Sequence, residues 1–108
     1  MAAFSIRTTF QHLFQSVNYG SATLTAVSPT TGTTLAGSST VSVPNAQIGD
    51  IVDVSCPTAP PAGLIVYGVV TAVGVVTVYA SNVSAGTLAS PAGLYRVVTY
   101  TLGQDFSS

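Results

Sequence analysis

From residue 21 onward, apolar and small polar residues alternate in short runs punctuated by Gly, Pro and Ser. Residues 21–28 (SATLTAVS) and 39–44 (STVSVP) repeat at every second position, the period of a half-buried strand. Residues 49–55 (GDIVDVS) alternate again, with Asp50, Val52 and Val54 on one face and Asp53 on the other. Val-rich runs at 64–72 and 75–81 flank Gly74 in the pattern of a hairpin, and 94–102 forms a last strand. Residues 29–37 (PTTGTTLAG) read as a turn-rich loop, 82–93 as another, and 103–108 as a short tail. The stretch 56–63 (CPTAPPAG) holds three of the six prolines and predicts an irregular or polyproline-like connection. Six to eight short strands with this punctuation predict an all-β fold, a small β-sandwich, jelly-roll or barrel-like domain.

The first twenty residues follow a different pattern. They hold Phe4, Phe10 and Phe14, three of the four phenylalanines, and the single histidine, His12. Phe10, Leu13, Phe14 and Val17 are spaced to form one apolar stripe on a short helix, which Thr8 or Thr9 would cap. Phe4, Ile6 and Thr8 alternate equally well as an extended arm. The expected organisation is an N-terminal arm at 1–20 and a single β domain at 21–108. Phe4, Phe10, Leu13, Phe14 and Val17 are the candidate partner-binding residues, and completion of the domain's own core is the competing role.

Residues 62–80 (AGLIVYGVVTAVGVVTVYA) are uncharged and about as long as a membrane span requires. Their Val, Thr and Tyr content is that of strands, Gly74 interrupts them near the centre, and no basic residue flanks them. A buried β-hairpin is expected, with no membrane partner.

Composition then narrows the function classes. The chain has two arginines (Arg7, Arg96), three aspartates (Asp50, Asp53, Asp105), and no Lys, Glu or Trp. At 5% charged residues against about 25% in ordinary soluble domains, the surface is built from Ser, Thr, Gly, Val and Ala. Such a surface suits a subunit covered by neighbours in a permanent assembly. Two arginines far apart in sequence offer no cluster for phosphate contacts, so no nucleic-acid partner is expected. One cysteine forms no disulfide framework. The first residues lack a continuous apolar region, so no signal peptide is expected.

Candidate chemistry is sparse. His12 has no acid near it in sequence, and Ser/His/Asp sets arise by chance in so Ser-rich a chain. Asp50 and Asp53 flank one strand and point to opposite faces, unlike paired carboxylates set across a cleft. Asp50 alone is a weak calcium candidate, one Cys and one His do not make a zinc site, and no glycine-rich phosphate loop occurs. No cofactor, metal or catalytic site is therefore expected. Asn82-Val83-Ser84 fits the glycosylation pattern but reads as a turn ending a strand. Cys56 reads as a small buried hydrophobe. Tyr67, Tyr79, Tyr95 and Tyr100 offer stacking faces or, more simply, pack across the sheet.

GDIVDVSCP (49–57), AGLIVYG (62–68), GVVTVYASNVSAG (74–86) and SPAGLYRVVTYTL (90–102) together resemble a module of tailed-phage structural proteins, over residues 49–102. The resemblance is to small head-decoration (cement) proteins and to domains of fibres and other virion appendages. It implies a non-enzymatic protein on the capsid exterior that bridges major capsid protein subunits and stabilises the shell. Surplus strand valines (Val69, Val70, Val75, Val76, Val97, Val98) add the expectation of a homotrimer or other symmetric homo-oligomer. The alternatives are a tail fibre or spike module binding host carbohydrate, and a secreted or pore-forming β protein.

Overall fold

The computed structural model describes residues 14–102. Seven strands follow in order: β1 (Phe14–Leu24), β2 (Thr34–Ala36), β3 (Val41–Ser42), β4 (Ile51–Ser55), β5 (Leu64–Ala72), β6 (Val75–Asn82) and β7 (Gly93–Leu102). They form two antiparallel sheets. One has the order β1-β7-β4; in the other β6 pairs with β5 on one side and with β2 and β3 on the other. The all-β expectation holds, as a two-sheet sandwich.

The hairpin at 62–80 is the strongest local signal and forms as expected. Val, Tyr and Thr favour the pleated backbone, and Gly74 takes the positive φ (76°) that its tight turn requires. No helix among the described residues is long and apolar enough to cross a membrane.

Period-2 alternation sends Val70, Val76, Val78 and Ala80 of one sheet against Tyr95 and Val97 of the other, with Leu24, Val41, Val43 and Ala46 closing the core. The two sheets touch most closely at glycines. A Cβ on Gly20 would run into the Ser42 carbonyl, and one on Gly68 would lie 2.8 Å from Val54 and 2.9 Å from Val52. Side chains here would separate the layers.

Three boundaries depart from the sequence pattern. β1 begins at Phe14 and pairs with β7 through position 20 to Leu24, so residues 14–20 belong to the sheet. Phe14 and Val17 therefore lie on a strand, not on the helix that their spacing allowed. Phe4, Phe10 and Leu13 lie outside the described residues. Residues 25–28 leave the sheet instead of extending it. Thr25 N–H donates to Ser38 Oγ (2.9 Å) and Val27 N–H to Ser90 Oγ (2.9 Å), so hydroxyls replace ladder partners. Finally, β2 lies inside the stretch read as a loop, recruited by β6 through Leu35 opposite Ala80.

Candidate functional site

Strand β7 sets the geometry of the β1-β7-β4 sheet. Tyr95, Val97 and Thr99 are buried and face the other sheet, so Leu94, Arg96, Val98, Tyr100 and Leu102 face outward. The register then assembles cross-strand rows on the outer face. Val17, Tyr100 and Ile51 form one row, Tyr19, Val98 and Asp53 the next, and Ser21, Arg96 and Ser55 the third.

At this end of β1 the usual amphipathic sense is reversed. Ser16 and Asn18 point inward, while Val17 (43% exposed) and Tyr19 (78% exposed) point out. Ile51, Leu94 and Leu102 are also exposed on this face. A soluble surface normally keeps its aliphatic and aromatic residues scattered; here Leu102, Val17, Ile51 and Tyr19 line adjacent rows, and Leu94 lies beyond the polar Ser21–Arg96–Ser55 row. Two depressions flank Arg96. One, of about 390 Å³, is lined by Tyr19, Ser21, Arg96 and Val98. The other, of about 280 Å³, is lined by Ser55, Cys56, Pro57, Leu94 and Arg96. Neither Arg96 nor Asp53 has a hydrogen-bond or ion-pair partner among the described residues.

The outer face of the other sheet also exposes aliphatic residues, Ile65 and Val69, but its aromatic and hydroxyl groups pair with one another. Tyr67 and Tyr79 stack with ring centroids 5.5 Å apart and planes at 25°. Thr71 and Thr77 share a hydroxyl hydrogen bond at 2.8 Å, and Thr34 donates to Ser81 at 3.0 Å.

The remaining sequence candidates take structural roles. Asp50 points toward the inner side of β7. It accepts from Thr101 Oγ1 (2.8 Å) through one oxygen and from the Gln47 N–H (2.9 Å) through the other, fixing the turn before β4. Asp53 lies on the opposite face, as the alternation predicted, so the two carboxylates do not converge. No group of three His, Cys, Asp or Glu side chains capable of holding a metal occurs among the described residues; His12 lies outside them. Tyr95 is core: its hydroxyl donates to the Pro91 carbonyl four residues upstream, as in the tyrosine corners of β-sandwiches. Its hydroxyl pKa is pushed up by burial, with the nearby Cys56 adding to the shift and a hydrogen bond to Ser90 opposing it. Cys56 is half-buried, and burial raises its thiol pKa, away from a reactive thiolate.

Asn82 is the residue whose role the sequence understated. It is completely buried. Its amide donates to the carbonyls of Pro29 (2.9 Å) and Gly86 (2.7 Å), while its Oδ1 accepts from the Ser84 N–H and hydroxyl, both at 2.8 Å. It is a fully satisfied knot tying the end of β6 to two loop segments, with no face left for a glycan. Thr99 is the reverse case, a fully buried hydroxyl with no partner among the described residues. The outward rows around Arg96 were also missed, because Val17 and Tyr19 were grouped with an arm instead of with β7. The signal was present in the regular spacing of Val17, Tyr19 and Ser21, but the partner strand is about eighty residues away.

The chain matches no protein-family model, no curated protein and no solved structure.

Proposed function

We propose that this chain is a non-enzymatic virion structural protein, a capsid decoration or cement protein of the tailed-phage type. In this role a symmetric homo-oligomer sits on the capsid exterior and bridges major capsid protein subunits. The observation that carries the reading is the outward display of Val17, Tyr19, Ile51, Leu94 and Leu102 on a sheet with one arginine and one aspartate. Apolar residues gathered on one sheet face fit a subunit whose faces are covered in an assembly. The mechanism is mechanical: contacts of low charge add buried area across capsid joints, at about 25 cal/mol per Å² before association costs. Phe4, Phe10, Leu13 and Phe14 are assigned to the contact with the capsid, leading into Val17 at the start of the exposed face.

Co-sedimentation with purified capsids tests this. The full chain is expected to bind saturably, and removal of residues 1–13 to abolish binding while circular dichroism keeps its β signal. Absence of binding by the full chain would overturn the reading.

A second reading, a fibre or spike module that binds host carbohydrate, draws on the exposed Tyr67 beside Tyr79. The two rings stack on each other, so one face of each is already taken. Retention on a glycan array, lost in Tyr67→Ala, would favour it over decoration.

A further inference from the structure

We infer that the outer face of the β1-β7-β4 sheet is a self-complementary interface, occupied by the same face of a second copy across a twofold axis. The inference rests on the homo-oligomer part of the proposed function and names the surface that makes the oligomer.

The face carries one cation and one anion, on neighbouring strands and in adjacent rows. Asp53 lies opposite Val98, and Arg96 lies two residues along β7 from Val98. Diagonal neighbours of this kind stand about 7–8 Å apart, and no ion pair joins them within the chain. A twofold axis running across the strands, between the Val98 and Arg96 rows, lays two copies face to face with aligned strands. Each Arg96 then stands over the second copy's Val98, with the second copy's Asp53 displaced sideways by one strand spacing, about 4.8 Å. That is within reach of a guanidinium, and the axis makes the pair twice. The same operation places the second copy's Tyr19 over Ser21, at the depression of about 390 Å³ beside Arg96. The exposed Tyr19 ring thus meets an open depression of the same face, walled on one side by the second copy's own Tyr19, as isologous contacts allow. The row Val17–Tyr100–Ile51 covers Thr23 and Leu94 of the second copy.

The size is adequate. Ten paired residues on β1 and β7 and five on β4 span roughly 10 Å by 34 Å plus 5 Å by 17 Å, about 400 Å² in projection, which side-chain relief raises to the size of a small specific contact. A twofold contact also departs from the trimer expected from valine surplus alone. The reason is that cation and anion share one face, so that face is complementary to itself.

The test is a charge exchange followed by analytical ultracentrifugation without capsids. The wild type is expected to be a dimer at micromolar concentration. Arg96→Asp and Asp53→Arg each place like charges together twice, and each is expected to raise the dissociation constant by about 100-fold or more. An equimolar mixture of the two variants restores both opposite-charge pairs in a heterodimer, so association should recover to within about tenfold of wild type. Recovery also shows that each variant is folded. Single variants that stay associated, a mixture that fails to recover, or a wild-type trimer would each overturn this face while leaving the homo-oligomer reading intact. A monomeric wild type would overturn both.

Discussion

The two outer faces of this sandwich both expose aliphatic side chains, and they differ in whether their aromatic, hydroxyl and charged groups are paired. On the β5–β6 side the aromatic and hydroxyl groups pair within the chain, while Ile65 and Val69 stay exposed: Tyr67 stacks on Tyr79, Thr71 bonds Thr77, and Thr34 bonds Ser81. On the β1-β7-β4 side, Tyr19 projects into solvent, and Arg96 and Asp53 occupy adjacent rows without an ion pair. Composition does not separate these faces; cross-strand pairing does. A sheet face whose rows close on themselves gains local stability, about 0.2–1 kcal/mol per pair. A face whose groups are left open holds the same interactions in reserve for a partner.

The largest expected effect lies between the faces, at the spacing both depend on. Gly20→Ala would drive a methyl into the Ser42 carbonyl and force the sheets apart. A loss of about 3 kcal/mol in urea unfolding is expected, and an unchanged midpoint would show that the layers yield without cost.

The two tyrosines then divide the faces directly. Tyr19→Ser should weaken self-association by about 30-fold, as loss of a central aromatic anchor does, while leaving unfolding within about 0.5 kcal/mol of wild type. Tyr67→Ser should do the reverse, lowering stability by about 1 kcal/mol through the lost stack with association unchanged. Paired sedimentation and denaturation measurements check both, and equal effects on the two faces would dissolve the comparison. The smallest effect is expected in the core. Thr99→Val removes a buried hydroxyl that has no partner among the described residues, at nearly constant volume, and should stabilise the fold by about 1 kcal/mol. Association should not respond.

Much of this molecule was legible from residue patterns alone. The β5–β6 hairpin was readable to within a residue because its pairing is local: Gly74 permits the turn, and the flanking Val, Tyr and Thr need no distant partner to prefer a strand. Alternation likewise placed Asp50 and Asp53 on opposite sides of β4. β1 was not legible in the same way. Its inward positions Ser16, Asn18 and Gly20 are polar or small and its outward positions Val17 and Tyr19 apolar, so hydrophobicity points away from the core.

Asn82 shows the same limit at a single residue. Its motif marked a turn, and its bonds to Ser84 and Gly86 are local to that turn, yet the bond that ties it into the fold goes to the Pro29 carbonyl, 53 residues away, and forms only when the loops meet. The strand class, the hairpin and the near absence of charge follow from local backbone preference and composition, which every residue carries with it. The open face follows from β1 and β4 pairing to either side of β7, a register between segments roughly forty to eighty residues apart. Side-chain direction has a period of two, so that register, set by burial of Tyr95 and Val97, decided which of these residues the core kept and which it left for a partner.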